Sequence, residues 1–201
     1  MFERILIPLS AQESKEWVVG LVRGLLRDRR AHVDLLQLLP EERRAEGGAP
    51  DHGGGRLEAT RAELRRLGLT TSKGLAYGDA ASEILARVQA EPPPSLVAIR
   101  TRPRKGLDRV LLGSVAERVI RRSPVPVLAI DPAVEETFAF TRILVPLDLH
   151  PLSTEVLPAV LELARIHTSE VVLVHVVPLQ PEPFTYREFE LRSPESVEAL
   201  L

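Results

Sequence analysis

The chain has 201 residues, of which 44% are apolar and 27% charged, and these values are typical of a globular protein that buries a core. It contains no cysteine, which excludes disulfide frameworks, thiol chemistry and cysteine-ligated metal centres. The formal net charge of −2 divides into +3 over residues 1–138 and −5 over residues 139–201, and neither value indicates a nucleic-acid-binding protein.

Short apolar runs alternate with amphipathic stretches over roughly the first two thirds of the chain. The apolar runs predict five strands, at residues 3–9, 32–39, 69–77, 95–100 and 125–130. The amphipathic stretches predict helices at residues 13–29, 56–67, 79–90 and 113–122, and a Gly- and Pro-rich loop at residues 40–55. Because parallel strands need crossovers of this length, the pattern predicts an α/β protein with a five-stranded, parallel, doubly wound sheet of the Rossmann-like type.

An internal repeat has an offset of 138 residues. The segment Phe-Glu-Arg-Ile-Leu-Ile-Pro-Leu-Ser, which begins at Phe2, recurs as Phe-Thr-Arg-Ile-Leu-Val-Pro-Leu-Asp from Phe140. The same offset aligns Val33 with Val171 without a gap. We therefore predict a complete domain at residues 1–138 and, at residues 139–201, a second copy truncated to a partial β-α-β repeat with an acidic tail.

The segment from Arg100 to Ser114 is the strongest candidate for ligand binding. Ligands of open α/β sheets lie beyond the carboxyl ends of the strands, and this segment leads from the fourth predicted strand into a helix. The helix begins near Gly113, where free backbone N–H groups favour an anion, and Ser114 either caps the helix or donates to a phosphate. Four basic residues precede it: Arg100, Arg102, Arg104 and Lys105. A solvated basic loop is the alternative interpretation.

The chain resembles the universal stress protein family in residues 4–8, 78–84 and 113–130. The resemblance implies the adenine nucleotide alpha hydrolase-like variant of the predicted sheet. It also implies a non-enzymatic role in the stress response and dimerisation through the last strand of the first unit, with Val125, Val127 and Ile130 as the interface side chains. The homo-oligomer is the partner that we expect.

Many members of that family hold adenine nucleotide with a Gly-x2-Gly-x9-Gly-Ser/Thr motif. Here Gly113 and Ser114 match the last two positions, but Arg100 and Pro103 replace the earlier glycines, and Ser10 replaces the usual Asp after the first strand. The resemblance places candidate nucleotide contacts at Ser10, Leu38, Arg100, Arg102, Gly113, Ser114 and Val115. We expect a degenerate site, and binding of ATP or AMP at Gly113 and Ser114 with the basic loop is the open alternative.

Other chemistry has little support in the sequence. The histidines lack metal-ligand spacing and no serine lies in a nucleophile elbow, so we predict neither a metal site nor catalytic residues. Asp148 is expected to cap a helix near Pro151, and His175 to be structural. Only 4% of residues are aromatic, which disfavours nucleic-acid binding. The absence of a signal-peptide pattern and of a long apolar run predicts a cytoplasmic protein without a membrane span.

Overall fold

A computed structural model of the chain describes residues 2–10, 13–27, 30–45, 54–101, 113–131, 139–148 and 150–175. The chain divides into two units, Met1–Phe138 and Ala139–Leu201, and each of them contains its own sheet. None of the helices within the described ranges is long and apolar enough to cross a membrane.

The first unit alternates strands and helices. Its strands are β1 (Arg4–Leu9), β2 (His32–Leu39), β3 (Thr70–Tyr77), β4 (Leu96–Arg100) and β5 (Val127–Ile130). Its helices are α1 (Lys15–Leu26), α2 (Glu42–Ala45), α3 (Gly54–Arg66), α4 (Ala80–Val88) and α5 (Ser114–Arg122). The short α2 lies in the segment predicted as a loop, where the Arg43 and Arg44 N–H groups donate to the carbonyls of Pro40 and Glu41.

The five strands form one parallel sheet in the order β3-β2-β1-β4-β5, which confirms the predicted fold class. From β1 the chain builds outward through β2 and β3, and then crosses to the other side of β1 to add β4 and β5. The strand order therefore reverses between β1 and β4, and a ligand crevice is expected at their carboxyl ends.

Successive side chains of the strands face opposite sides of the sheet, and helices cover both sides. On one side, Leu6 and Val97 of the sheet pack with Ile84 of α4 and Val119 of α5. On the other side lie the alternate residues of the strands, such as Ile5, which is fully buried. This side is covered by helices α1 and α3, which contact each other. Burial on both faces explains why the central strands are almost continuously apolar.

Asp34 is a buried exception on the α4 side, with its side chain 4% exposed. Its carboxylate accepts hydrogen bonds from Arg4 at 2.7 and 3.0 Å and from Arg87 at 3.2 Å. The Ser72 hydroxyl also donates to it, and Nε2 of His32 lies 3.1 Å away. Hydrogen bonds from β1, β3 and α4, of which those from β1 and α4 are donated by arginines, thus compensate the cost of burying this charge.

The second unit is a small β-α-β fragment. It consists of β6 (Arg142–Leu147), α6 (Pro151–Thr154), α7 (Leu157–His167) and β7 (Glu170–His175). The two strands are parallel, and their register pairs Arg142 with Glu170 as β1 and β2 pair Arg4 with His32. Its core is formed by Val145, Leu157, Val160, Leu161, Ala164 and Val171.

The helix cap predicted for Asp148 is wrong. Because α6 begins at Pro151, its N-cap is the preceding His150, whose Nδ1 accepts a hydrogen bond from the Leu152 N–H at 3.2 Å. Asp148 instead accepts from the His150 N–H at 2.9 Å, and this bond is the main reason that the pKa of Asp148 is lowered. His175 Nδ1 donates to the Leu147 carbonyl at 2.7 Å, and its structural role stays a prediction.

Candidate functional site

The candidate residues of the first unit lie around the carboxyl ends of β1 and β4. Ser10 follows β1 directly, Arg100 is the last residue of β4, and Ser114 is the first residue of α5. Arg102 falls in residues 102–112, outside the described ranges, as does Pro103. The described part of the candidate site therefore consists of the carboxyl ends of β1 and β4 and the N-terminus of α5.

Ser10 contacts an acid that the sequence analysis did not select. Both its backbone N–H and its hydroxyl donate to the Glu13 carboxylate. A carboxylate thus stands at the end of β1, although position 10 itself is not acidic. The available signal was the three-residue spacing from Ser10 to Glu13, which resembles the reciprocal hydrogen bonding of a capping box.

Arg100 packs against the only tryptophan of the chain. Its guanidinium carbon lies 5.4 Å from the centre of the Trp17 ring, within the range of a cation–π interaction. Trp17 is buried at the start of α1. The Arg100 side chain therefore lies on the α1 side of the sheet, where the family motif would have a glycine.

The start of α5 differs in detail from the prediction. Gly113 is the N-cap, no side chain hydrogen-bonds there, and Ser114 is an exposed first helical residue, so Ser114 does not cap the helix. The physical reason is that an N-cap residue has extended backbone, and Gly113 adopts φ −58° and ψ 152°. Val115 and Leu38 both pack against the core cluster under α4 and α5. The predicted contacts are thus divided between the two sides of the sheet.

The described residues form a cavity at this end of the sheet, on the side of α1 and α3. Its volume is about 20 Å³, which is room for a water-sized group. It is lined by Leu9, Ser10, Glu13, Ser14, Val18, Gln37, Arg56, Leu57 and Thr60. Among the candidate residues, only Ser10 lines it.

No cluster of three or more His, Cys, Asp or Glu residues within the described ranges is arranged to hold a metal ion.

The family model for the universal stress proteins matches residues 1–131, which include the whole five-stranded sheet. The chain belongs to the universal stress protein family. Among functionally curated proteins, none matches it.

Solved structures share the fold of this universal stress protein at low sequence identity. A universal stress protein from Archaeoglobus fulgidus is 19% identical with a TM-score of 0.50, and the match covers 65% of this chain and 99% of that one. One from Archaeoglobus fulgidus DSM 4304 is 17% identical with a TM-score of 0.69, covering 89% of this chain and 68% of that one. A putative universal stress protein from Pseudomonas aeruginosa UCBPP-PA14 is 21% identical with a TM-score of 0.66, covering 87% and 60%.

The described part of this universal stress protein contains part of the nucleotide motif of its family. The open N-terminus of α5 suits a phosphate, since backbone N–H groups at such a position bind anions. At the first glycine position of the motif, the Arg100 side chain lies over Trp17. The residues that match the motif are thus those at Gly113 and Ser114.

Proposed function

We propose that this universal stress protein is non-enzymatic and acts in the stress response as a dimeric regulatory or scaffold protein whose adenine-nucleotide site is degenerate. The observation that carries the proposal is the position of Arg100. Its guanidinium is held over Trp17 at the switch in strand order, where a glycine would leave room for the ligand.

The contacts of Ser10 support the same interpretation. A ligand hydroxyl at the end of β1 would need an acceptor there, and the Glu13 carboxylate already accepts two hydrogen bonds from Ser10. Both bonds go to the same oxygen, Oε2, so a nucleoside hydroxyl that took Oε2 in place of Ser10 would break them, and a hydrogen bond to a charged group is worth about 1.5–3 kcal/mol. Chemistry at this carboxylate would carry the same cost.

Self-association through β5 is the second part of the proposal. β5 is an edge strand, paired to β4 on one side only within the described sheet. An unpaired strand edge is a template for pairing with a second copy. Val125 and Val127 are half-buried, whereas Ile130 is 5% exposed, so the first two are the side chains with surface left to contribute.

Calorimetric titration with ATP and AMP tests the degenerate site, and mass measurement in solution tests the dimer. We expect no saturable heat with either nucleotide and a mass of twice the chain. Saturable heat at micromolar nucleotide would overturn the first part, and a monomer at the highest soluble concentration would overturn the second.

The second candidate function is binding of ATP or AMP at α5, as the alternative to a degenerate site. The observation in its favour is the N-terminus of α5, where no side chain of the described residues makes a capping hydrogen bond and Ser114 is exposed. A Ser114→Glu variant discriminates the two, because a carboxylate at the first helical position would compete with a phosphate. If Ser114→Glu abolishes a heat of nucleotide binding seen in the wild type, the nucleotide binds at the N-terminus of α5.

We also propose that residues 139–175 are a partial copy of the first unit. The support is the register of the two strand pairs, which is offset by the same 138 residues in both strands. Matches that cover 87% and 89% of the chain also extend past residue 138. Limited proteolysis of the full chain should give two protected fragments that meet between residues 131 and 139, and a single cooperative fragment would contradict a division into copies.

A further inference from the structure

The cavity beside α1 and α3 is lined by a buried amide whose carbonyl oxygen has no hydrogen-bond donor among the described residues. Gln37 on β2 is 4% exposed, and its Oε1 accepts no hydrogen bond. Its neighbours across the sheet are Leu9 and Leu75, so an apolar side chain would suit the position. A buried acceptor without a donor is costly, so its presence in a cavity calls for an explanation, and a group that enters the cavity and donates to it is one.

The other residues that line the cavity indicate which kind of ligand could donate to Gln37 Oε1. Glu13 and Arg56 bring opposite charges to the cavity, so it favours a neutral group over an ion. Ser14 Oγ accepts from the Trp17 N–H at 3.2 Å and keeps its own hydrogen for donation. The acceptor Gln37 Oε1 and the donor Ser14 Oγ together suit a hydroxyl group of a ligand, because a hydroxyl both donates and accepts a hydrogen bond.

Size and shape restrict the ligand further. The cavity of about 20 Å³ admits one hydroxymethyl group, and the rest of a larger molecule would have to lie outside it. Leu9, Val18 and Leu57 form an apolar wall suited to the C–H faces of such a group. Thr60, which donates to the Arg56 carbonyl at 2.9 Å, fixes the start of α3 beside it.

We propose that this cavity is a binding site for a neutral polyol, seated by one hydroxymethyl end whose hydroxyl donates to Gln37 Oε1. The site goes beyond the proposed dimeric scaffold, because it lies on the α1 and α3 side of the sheet and uses none of the residues at α5. The polyol occupies the place where Gln37 lacks a partner.

Titration of the isotope-labelled full chain with glycerol, followed by the NMR signals of the Gln37 side-chain amide, tests the proposal. We expect a saturable shift in the wild-type chain and none at Ser10, Ser14 and Thr60 in Gln37→Leu. Absence of a saturable shift in the wild type, or persistence of the Ser14 and Thr60 shifts in Gln37→Leu, overturns it. Gln89→Leu, at the exposed end of α4, is the matched control and should shift as the wild type does.

Two further ligands separate other occupants. If methylammonium binds and glycerol does not, the cavity is a cation site. If adenosine displaces glycerol, the cavity is part of a nucleotide site. Either result overturns the polyol assignment. The melting temperature gives an independent readout. Without ligand, Gln37→Leu should melt higher than the wild type because it removes a buried carbonyl oxygen that lacks a donor, whereas a structural role for Gln37 requires it to melt lower.

Discussion

Arg118 on α5 forms a two-point ion pair with Asp79, the residue that caps α4. Its terminal nitrogens Nη1 and Nη2 each lie 2.8 Å from a carboxylate oxygen of Asp79. Asp79 also accepts from the backbone N–H of Ser82 at 3.0 Å and from the Ser82 hydroxyl at 2.7 Å. A single carboxylate thus begins α4 and links it to α5, the helix whose N-terminus is the candidate phosphate site.

These contacts make the stability of the protein sensitive to acid through Asp79. The Ser82 hydroxyl, followed by the Ser82 N–H and Arg118, lowers the pKa of Asp79 from 3.8 to about 2. A carboxyl whose pKa is lower in the folded than in the unfolded state stabilises the fold above the unfolded value, and the contribution is lost as the pH falls from about 4 towards 2. We expect the urea midpoint of the wild type to fall through this window relative to that of Asp79→Asn.

Asp79→Asn is the appropriate reference because asparagine caps helices as well as aspartate does but has no charge to lose. The difference between the two urea midpoints, followed by circular dichroism, should therefore shrink as the pH is lowered. A difference that stays constant with pH would show that the ionised carboxyl of Asp79 adds no stability.

The buried Asp34 network should matter more to stability than any exposed ion pair. Asp34→Asn keeps the shape of the side chain but leaves Arg4 and Arg87, which are 20% and 29% exposed, without their anion. Removing one partner of a buried pair costs about 3–5 kcal/mol, and partial exposure of both arginines favours the lower end. The free energy of unfolding, from urea titration at neutral pH, should fall by about 3 kcal/mol.

Glu117→Gln is the matched control for that measurement. It breaks the pair with Arg121 at 3.0 Å on the surface of α5, where the two side chains are 51% and 74% exposed. Exposed pairs of this spacing contribute about 0.3–0.5 kcal/mol. Equal losses in the two variants would mean that Asp34 does not act as a buried anion.

The fold could be predicted from the sequence because its strands are buried on both faces. Runs such as residues 5–7 and 96–99 are apolar throughout, and residues such as Ser14 and Asp79 that cap helices precede the amphipathic stretches. The short α2 was missed, because a four-residue helix among charged residues has no apolar periodicity to reveal it.

The site was less predictable because its contacts join residues that are distant in sequence. No local pattern indicates that Arg100 lies over Trp17 or that Gln37 lacks a partner, since both depend on how α1 packs against the sheet. The capping error has a local cause. Asp148 and His150 both offer a side-chain acceptor, and only the exact start of α6 decides between them.

Restoring the family motif should restore nucleotide binding if the site is degenerate for the reasons proposed. The variant carries Ser10→Asp, Arg100→Gly and Pro103→Gly, which return the acid after β1 and remove the side chains from the two glycine positions. We expect saturable heat with ATP in this variant and none in the wild type. Loss of the Trp17 contact should cost only about 0.5–1 kcal/mol, so the fold should survive.

The double variant Arg100→Gly with Pro103→Gly is the control for the acid. If it binds ATP as tightly as the triple variant, Glu13 already supplies the carboxylate at the end of β1. If neither variant binds, the motif positions do not explain the degenerate site, and the proposed reason for it is wrong.

Dimerisation through β5 predicts that a charge on this strand will produce a monomer. Leu128 lies in the middle of β5, opposite Ala98 of β4, and a lysine on an edge strand blocks pairing with another edge. We expect Leu128→Lys to elute with the mass of one chain in size-exclusion chromatography with light scattering. Thr70→Lys, at the exposed start of the opposite edge strand β3, should remain a dimer. Circular dichroism should show both variants folded, because each changes one partly or fully exposed side chain. A dimer that survives Leu128→Lys but not Thr70→Lys would place the interface on β3 instead.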